Sequence, residues 1–202
     1  HRDLHSFPTR RSSDLFVFST LKNAFGSSSD TTLTRLRDLL TGCGPHSLFP
    51  AAELYGSLGI EPKLNDAEIE RILGYGYQGR YTNLVLSLLY PDRDWKDAVF
   101  HEDHIFPQSE FQTRLLKRRG YDESKVQSYI AKYNQLANLQ LLPESENLSK
   151  NATPFEEWIK TRDASFRKRH LIPEMTTYGL DVFEEFYEKR RSRISKVLQD
   201  LS

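Results

Sequence analysis

Only two short segments of this 202-residue chain have the composition of β-strands, and this limits its fold more than any other feature. One is DAVFHEDHIFP, residues 97–107, which is aromatic and β-branched and stops at a proline; the other is NLQLL, residues 138–142. The segments around them repeat apolar residues at helical spacing. The sequence therefore predicts a mainly helical α+β fold with one small sheet that holds these two strands.

Helical periodicity predicts the arrangement of the remaining segments. Residues 16–91 are expected to form a helical scaffold or connector, in which Phe16–Ser29 is a loop and Asn65 caps the third helix. Residues 92–202 are expected to form the functional domain, which closes with a helix from about Leu180 to Leu201. The charged stretch Glu188–Arg193 is interpreted as the solvated face of that helix. The apolar stripe predicted for it consists of Phe183, Phe186, Tyr187, Ile194 and Leu198.

The first fifteen residues, HRDLHSFPTRRSSDL, differ in character from the rest of the chain. Codon by codon, this string is what translation of a common short-read sequencing adapter produces. We therefore expect residues 1–15 to be foreign to the protein and give them no weight in the predicted fold. The alternative is a basic tail whose Arg2, Arg10 and Arg11 contact phosphate. A foreign start also predicts that coding sequence upstream of it is missing.

Charge and cysteine content exclude several classes of protein. Lys plus Arg and Asp plus Glu both number 28, so any attraction to nucleic acid has to come from a local patch. The single cysteine, Cys43, excludes an intrachain disulfide and a zinc site built from cysteine pairs. No apolar run approaches the roughly 20 residues that span a bilayer. We expect a cytoplasmic protein without membrane contact.

Three side chains near the first strand are suited to phosphodiester hydrolysis. His101, Asp103 and His104 lie within four positions, and on a strand the first two share one face while His104 takes the other. The reaction needs a base for water, and imidazole, with an ordinary pKa of about 6.5, is suited to that task. It also needs a cation, and carboxylate oxygens suit a hard ion such as Mg²⁺. Taken alone, a histidine on an apolar strand is more often a packed core residue.

A second group of polar residues surrounds the second strand. Asn138 precedes it, and Asn147 and Lys150 follow it three positions apart, which places them on one face of a helix. An asparagine before a strand usually belongs to a turn, so Asn138 alone is weak evidence. The two groups together, in this order, favour a catalytic site over coincidence.

In this order the residues resemble the HNH nuclease motif. The string DHIFPQS, an Asn-Leu strand start and the N-x-x-K pattern are similar to the HNH domain of CRISPR effector nucleases. The fuller strings HEDHIFP, NLQLLPESENLSKNATPFEEWI and FEEFYEKRRSRI are more similar to the C-terminal nuclease domain of GmrSD-type modification-dependent restriction enzymes. The resemblance covers the chain from about Tyr75 to its end. It implies that the small sheet belongs to a ββα-metal core, also called an HNH or His-Me finger.

The resemblance also implies a role for each matching residue. His104 would be the general base that activates water, and Asp103 and Asn147 would hold one Mg²⁺ or Mn²⁺ ion. Asn138 would brace the loop between the strands and fix the orientation of His104. Lys150 would lie near the scissile phosphate and balance its developing charge.

Two features depart from the motif or leave its interpretation open. His101 matches a histidine often found just before the motif, and metal ligation, phosphate contact and a structural role are all open for it. The insertion at residues 108–134 is much longer than in compact HNH domains. It places two predicted helices, Ser109–Arg119 and Glu123–Tyr133, between the strands of the hairpin.

Two basic segments are candidates for contact with nucleic acid. Arg118 and Arg119 end the first inserted helix, and their alternative is a solvated helix end. Arg167 and Lys168 directly follow an aromatic residue, Phe166, and the alternative there is a loop between helices.

The resemblance implies an endonuclease that cuts DNA, with modified cytosines as the substrate of the similar enzymes. A nucleoside triphosphate would enter only through a domain upstream of this chain, because no Gly-rich phosphate loop is present in it. The alternative function is an HNH-like module that binds nucleic acid or a partner without cutting, and RNA is an open alternative to DNA.

Overall fold

The computed structural model describes residues 8–26, 29–44, 48–91 and 99–201. In these residues the fold is mainly helical, with one two-stranded antiparallel sheet, which confirms the predicted α+β class at this level. The helices and strands, in chain order, are α1 Pro8–Leu21, α2 Ser29–Thr41, α3 Ala51–Leu58, α4 Asp66–Leu73, α5 Thr82–Leu88, β1 Phe100–His104, α6 Thr113–Arg118, α7 Glu123–Lys132, β2 Leu139–Pro143, α8 Glu144–Lys150, α9 Phe155–Trp158, α10 Ala164–Arg169 and α11 Phe183–Gln199.

The chain divides into two compact units, and the division lies between residues 68 and 69, with the last residues from 199 on joining the first unit. The sequence predicted a division between residues 91 and 92, a point that adjoins residues outside the described part. The second unit includes α5 because this helix buries Val85 and Leu86 and contacts β2. The stretch from 69 to 91 therefore belongs with the predicted functional domain.

The first unit contains α1, α2 and α3. Phe18 and Leu21, three positions apart on α1, are buried, and the Phe18 ring meets Tyr55 of α3 edge-on with centroids 6.5 Å apart. These contacts extend the helix to Leu21, so the loop predicted from Phe16 is wrong for its first residues. On α2 the helix is confirmed, but no residue is buried and Leu33 is 52% exposed, so its apolar stripe does not form a core.

Asn65 caps α4 as the sequence predicts. Its side-chain Oδ1 accepts a hydrogen bond from the Glu68 backbone N–H at 2.9 Å, and the Glu68 carboxylate accepts one from the Asn65 N–H at 2.8 Å. This reciprocal pair is a capping box, which satisfies two backbone donors at the start of the helix.

The core of the second unit is aromatic and centres on Phe106. Its ring lies 4.8 Å from that of Phe155, 5.3 Å from Phe183 and 5.0 Å from Phe186. All five residues of the stripe predicted for α11 are buried, which confirms it. Arg190 is also fully buried, so the solvated face predicted for the charged stretch is wrong at this position. Its guanidinium donates to three backbone carbonyls, those of Leu136, Ala137 and His170.

The sheet pairs β1 and β2 with Asp103 opposite Gln140 and His101 opposite Leu142. Helix α8 begins at the residue after β2 and contacts both strands. The inserted segment forms a 3₁₀ turn at Gln108–Phe111 and then α6 and α7, in agreement with the two predicted helices. The strands β1 and β2 and the helix α8 therefore pack against one another, and the inserted segment connects the two strands.

Candidate active site at the end of the first strand

The two faces of β1 carry different groups. Residues directly opposite each other in an antiparallel pair lie on the same face, so His101 and Asp103 share a face with Gln140 of β2. His104 and Glu102 lie on the other face, where the Glu102 carboxylate accepts a hydrogen bond from the backbone N–H of Gln78 at 2.7 Å. The predicted separation of Asp103 from His104 is present in the strand.

His104, the last residue of β1, is almost fully buried and has two aromatic neighbours. It is 7% exposed, and its ring centroid is 4.6 Å from that of Tyr77 and 6.1 Å from that of Tyr133. Its Nε2 is 2.9 Å from the side-chain Oδ1 of Asn134. The ring thus has two aromatic neighbours and one hydrogen-bond partner.

Burial lowers the pKa of His104, because the charged imidazolium loses solvation. The Asn134 hydrogen bond and the Asp103 carboxylate act in the opposite direction, and the Lys150 ammonium lowers the pKa further. The net effect is downward from an ordinary value of about 6.5, so the imidazole is neutral near pH 7. A neutral imidazole has the lone pair that a general base requires.

Asn138 connects the segment after His104 to the start of β2. Its Oδ1 accepts from the Phe106 N–H at 2.9 Å, and its Nδ2 donates to the carbonyls of Phe106 at 3.1 Å and Tyr133 at 2.7 Å. The Asn138 backbone carbonyl accepts from the Ile105 N–H at 2.8 Å. The side chain is fully buried, so these bonds are shielded from water. This geometry is of the kind that the bracing role expected for Asn138 requires.

Lys150 and Asp103 form a buried ion pair between α8 and β1. The Lys150 Nζ is 3.0 Å from Asp103 Oδ2 and 3.2 Å from Oδ1, and it donates to the His104 carbonyl at 2.6 Å. Lys150 is fully buried, whereas the Asp103 side chain is 11% exposed. Gln140 donates a further hydrogen bond to Asp103 Oδ2 at 2.8 Å.

The structure places Lys150 differently from the expected contact with a scissile phosphate. An ammonium that is fully buried and already bound to Asp103 and the His104 carbonyl does not face solvent, where a phosphate would lie. Burial lowers the pKa of Lys150, and the Asp103 carboxylate opposes that shift. The position suits a group that orients Asp103 and the end of β1.

The remaining predicted ligands, Asn147 and His101, lie on the same two elements as this pair, α8 and β1. Asn147 is half-buried on α8, one helical turn before Lys150, and that helix contacts β1. The Nε2 of His101 is buried and has no hydrogen-bond partner among the described residues, and the same holds for the Oε1 of Gln140 on the same face. Among the described residues, no group of three His, Cys, Asp or Glu side chains is placed to hold a metal. Of the three predicted ligands, only His101 and Asp103 are of these four types, because Asn147 carries an amide.

Three residues in contact with His104, namely Tyr77, Tyr133 and Asn134, were not predicted from the sequence as its neighbours. Tyr77 lies in the segment GYGYQGRY, interpreted only as an interruption between helices, and Asn134 lies just after α7. Backbone contacts join the two segments: the Tyr77 N–H donates to the Asn134 carbonyl at 2.9 Å, and Gly76 pairs with Gln135. The unusual Gly-Tyr repeat is the one sequence signal for this contact; nothing in KYNQLA marks Asn134.

The four candidate nucleic-acid residues differ in their freedom to bind phosphate. Arg118 and Lys168 are exposed. Arg119 pairs with Glu110 at 3.3 Å, and Arg167 is half-buried and donates to the Ile159 carbonyl at 3.1 Å. Arg118 and Lys168 are therefore better placed than the other two.

The aromatic residue that precedes Arg167 and Lys168 is part of the protein interior. Phe166 is 8% exposed and stacks on His170, with centroids 4.0 Å apart, so it does not present its ring to a nucleobase. The segment forms α10 instead of the loop that was the alternative. Asp163 caps this helix by accepting from the Phe166 N–H at 2.7 Å.

No protein-family model matches this chain, and no curated protein matches it either. In the part of the chain that the structure describes, no helix combines the length and apolar character needed to cross a membrane.

Proposed function

We propose that this chain carries an HNH-type, ββα-metal endonuclease domain that hydrolyses DNA phosphodiester bonds. The observation that carries the proposal is the convergence of β1 with α8, in which one lysine of the helix binds both Asp103 and the His104 carbonyl. The order of strand, strand and helix and the bracing contacts of Asn138 also support it. These features are contacts of individual residues and elements, so they do not depend on the net charge of the chain.

The donor chemistry on the Asp103 face fits a hard divalent cation. Asp103 and Asn147 would hold one Mg²⁺ or Mn²⁺ ion, because carboxylate and amide oxygens are the ligands such ions prefer. The buried Nε2 of His101 and Oε1 of Gln140, which have no hydrogen-bond partner in the described part of the chain, provide further polar atoms on that face. When bound, the ion would supply charge stabilisation for the phosphoryl transition state and the leaving oxygen.

The residues of the chain itself would supply the base and its support. His104, neutral near pH 7, takes a proton from the attacking water. Asn138 holds the segment after His104 against β2, which fixes the direction of the imidazole. Lys150 keeps the Asp103 carboxylate in a single orientation, and preorganised charge of this kind lowers the cost of forming the transition state.

The resemblance supports a finer proposal about the biological role. The domain would belong to a modification-dependent restriction protein of the GmrSD type, in which an upstream domain binds a nucleoside triphosphate and DNA with modified cytosines is the target. The cytoplasm is the compartment that such a role implies.

Plasmid cleavage with matched variants tests the proposal. Purified protein is incubated with supercoiled plasmid and Mg²⁺ or Mn²⁺, beside His104→Ala and Asn147→Ala. Asn83→Ala is the matched control, because Asn83 is an exposed asparagine on α5. We expect metal-dependent nicking that is lost in the first two variants and kept in the control. Nicking that persists in His104→Ala, or that needs no metal, would contradict the proposal.

One observation favours a second function, a module that binds nucleic acid without cutting it. Both oxygens of Asp103 already face the Lys150 ammonium. The ammonium therefore balances the charge of the carboxylate, as a bound metal cation would. A binding module would show DNA affinity that EDTA and His104→Ala leave unchanged, together with no cleavage. The nuclease would instead cleave DNA, and both EDTA and His104→Ala would abolish that cleavage.

A further inference from the structure

The segment that follows α7 holds Asn134 firmly beside His104. Its backbone carbonyl accepts from the Tyr77 N–H at 2.9 Å, and two residues on, the Leu136 N–H donates to the Tyr75 carbonyl at 2.9 Å. The bridge between Gly76 and Gln135 lies between these bonds. The backbone of Asn134 is therefore fixed against a second segment, and its side chain starts from a defined position.

The contact between Asn134 and His104 determines which ring nitrogen carries the proton. An amide oxygen has no proton to donate, so the 2.9 Å contact between Oδ1 and Nε2 requires an N–H at Nε2. In a neutral imidazole, the lone pair is then on Nδ1. Among the described residues, no protein group hydrogen-bonds Nδ1, which leaves that nitrogen available to water.

Two aromatic rings restrict the alternative ring orientation. The rings of Tyr77 and Tyr133 both approach His104, at 4.6 Å and 6.1 Å between centroids. A flip of the imidazole would break the Asn134 hydrogen bond of a histidine that is only 7% exposed. A polar group left without its hydrogen bond in such a place is unfavourable, because it has also lost its bonds to water.

We infer that Asn134 is a positioning residue that sets the Nε2–H tautomer of His104 and directs Nδ1 toward the attacking water. As a catalytic role this rests on the proposed nuclease function, whereas the tautomer itself does not. Asn134 differs in this from Asn138, which holds the backbone after His104 and does not contact the ring in the described structure. An amide suits the task because it accepts a hydrogen bond without adding the negative charge that would favour imidazolium.

Nitrogen NMR of the histidine rings tests the inference without relying on activity. Ring ¹⁵N shifts and two-bond ¹⁵N–¹H correlations distinguish the two neutral tautomers, and His104→Gln identifies the His104 signals among those of the six histidines. Spectra are taken at about pH 8 in EDTA, where an imidazole of lowered pKa is neutral. Three variants are compared: Asn134→Leu, which lacks the acceptor, Asn134→Asp, which keeps one, and Asn83→Ala as the control.

We expect a single Nε2–H tautomer in the wild type, in Asn83→Ala and in Asn134→Asp, and a mixture of tautomers in Asn134→Leu. In plasmid cleavage, Asn134→Leu should lower kcat by about tenfold to a hundredfold with little change in KM, as expected for loss of a residue that orients a catalytic imidazole. Asn134→Asp should recover part of that loss. An Nδ1–H tautomer in the wild type, or an unchanged single tautomer in Asn134→Leu, would overturn the inference. If the tautomer behaves as stated and no form cleaves DNA, the nuclease proposal fails and the positioning contact stands.

Discussion

Replacement of Lys150 by methionine tests the buried ion pair that joins α8 to β1. The variant keeps the unbranched shape and all but the last atom of the side chain and removes its charge, so little packing is lost. It leaves the Asp103 carboxylate with the Gln140 amide at 2.8 Å and without its cation, and it leaves the His104 carbonyl without its 2.6 Å donor. Removal of one partner of a buried ion pair costs about 3–5 kcal/mol.

The structure places the expected loss at the lower end of that range. The Asp103 side chain is 11% exposed and retains one hydrogen bond, so part of its solvation is recovered. We expect a loss of about 3 kcal/mol in the free energy of unfolding. With a urea dependence of about 2 kcal/mol per molar for a domain of this size, the midpoint should fall by about 1.5 M.

Urea unfolding, followed by circular dichroism in EDTA, measures the effect. Lys189→Met is the matched control, since Lys189 is an exposed lysine whose ion pair with Glu185 lies on the surface of α11. The control should change stability by less than about 0.5 kcal/mol. A loss below about 1 kcal/mol in Lys150→Met would refute the reasoning, as would additivity with Asp103→Asn in a double-mutant cycle. If Asp103 binds a divalent cation, Mg²⁺ should stabilise Lys150→Met more than the wild type.

Two further predictions concern the same site, and a third concerns the basic residues of α10. Because burial lowers the pKa of His104, the unfolded chain binds that proton more readily, so stability in EDTA should fall as pH drops below about 6.5. His104→Gln should reduce this slope in urea titrations at several pH values, and identical slopes would contradict the burial effect. Asn138→Ala should cost about 3 kcal/mol in the same assay, because it removes three buried hydrogen bonds; a loss below about 1 kcal/mol would contradict it. Lys168→Ala should reduce the salt dependence of DNA affinity, measured by fluorescence anisotropy, by about one phosphate contact, whereas Arg167→Ala should leave it unchanged and lower stability.

The sequence predicts the local elements well because periodicity and capping act over a few residues. The stripe of α11, from Phe183 to Leu198, follows helical spacing and is buried as predicted. The capping box at Asn65 depends on residues three positions apart, so it too is visible in the sequence. The order of β1, insertion, β2 and α8 follows from such local patterns.

Burial of charge could not be predicted in the same way. Arg190 lies in a run of charged residues that periodicity assigns to solvent, but it is buried because three backbone carbonyls, two of them next to Asn138, accept its hydrogen bonds. Lys150 is buried for a similar reason, since Asp103 and the His104 carbonyl lie beneath α8. Acceptors of this kind come from segments distant in sequence, and no pattern around the lysine or the arginine indicates them.

The inserted segment, residues 108–134, contributes residues to the candidate site in addition to connecting the two strands. The segment after α7 supplies Asn134 to the Nε2 of His104 across 30 positions of sequence, and the neighbouring Tyr133 supplies both a ring beside the imidazole and the carbonyl that Asn138 binds. A shorter connection would have to replace all three contacts. His104 is buried and uncharged, so without these three contacts its imidazole would lose its fixed orientation even if the domain still folded. The insertion is therefore a structural requirement of this histidine and not simply an addition to the hairpin.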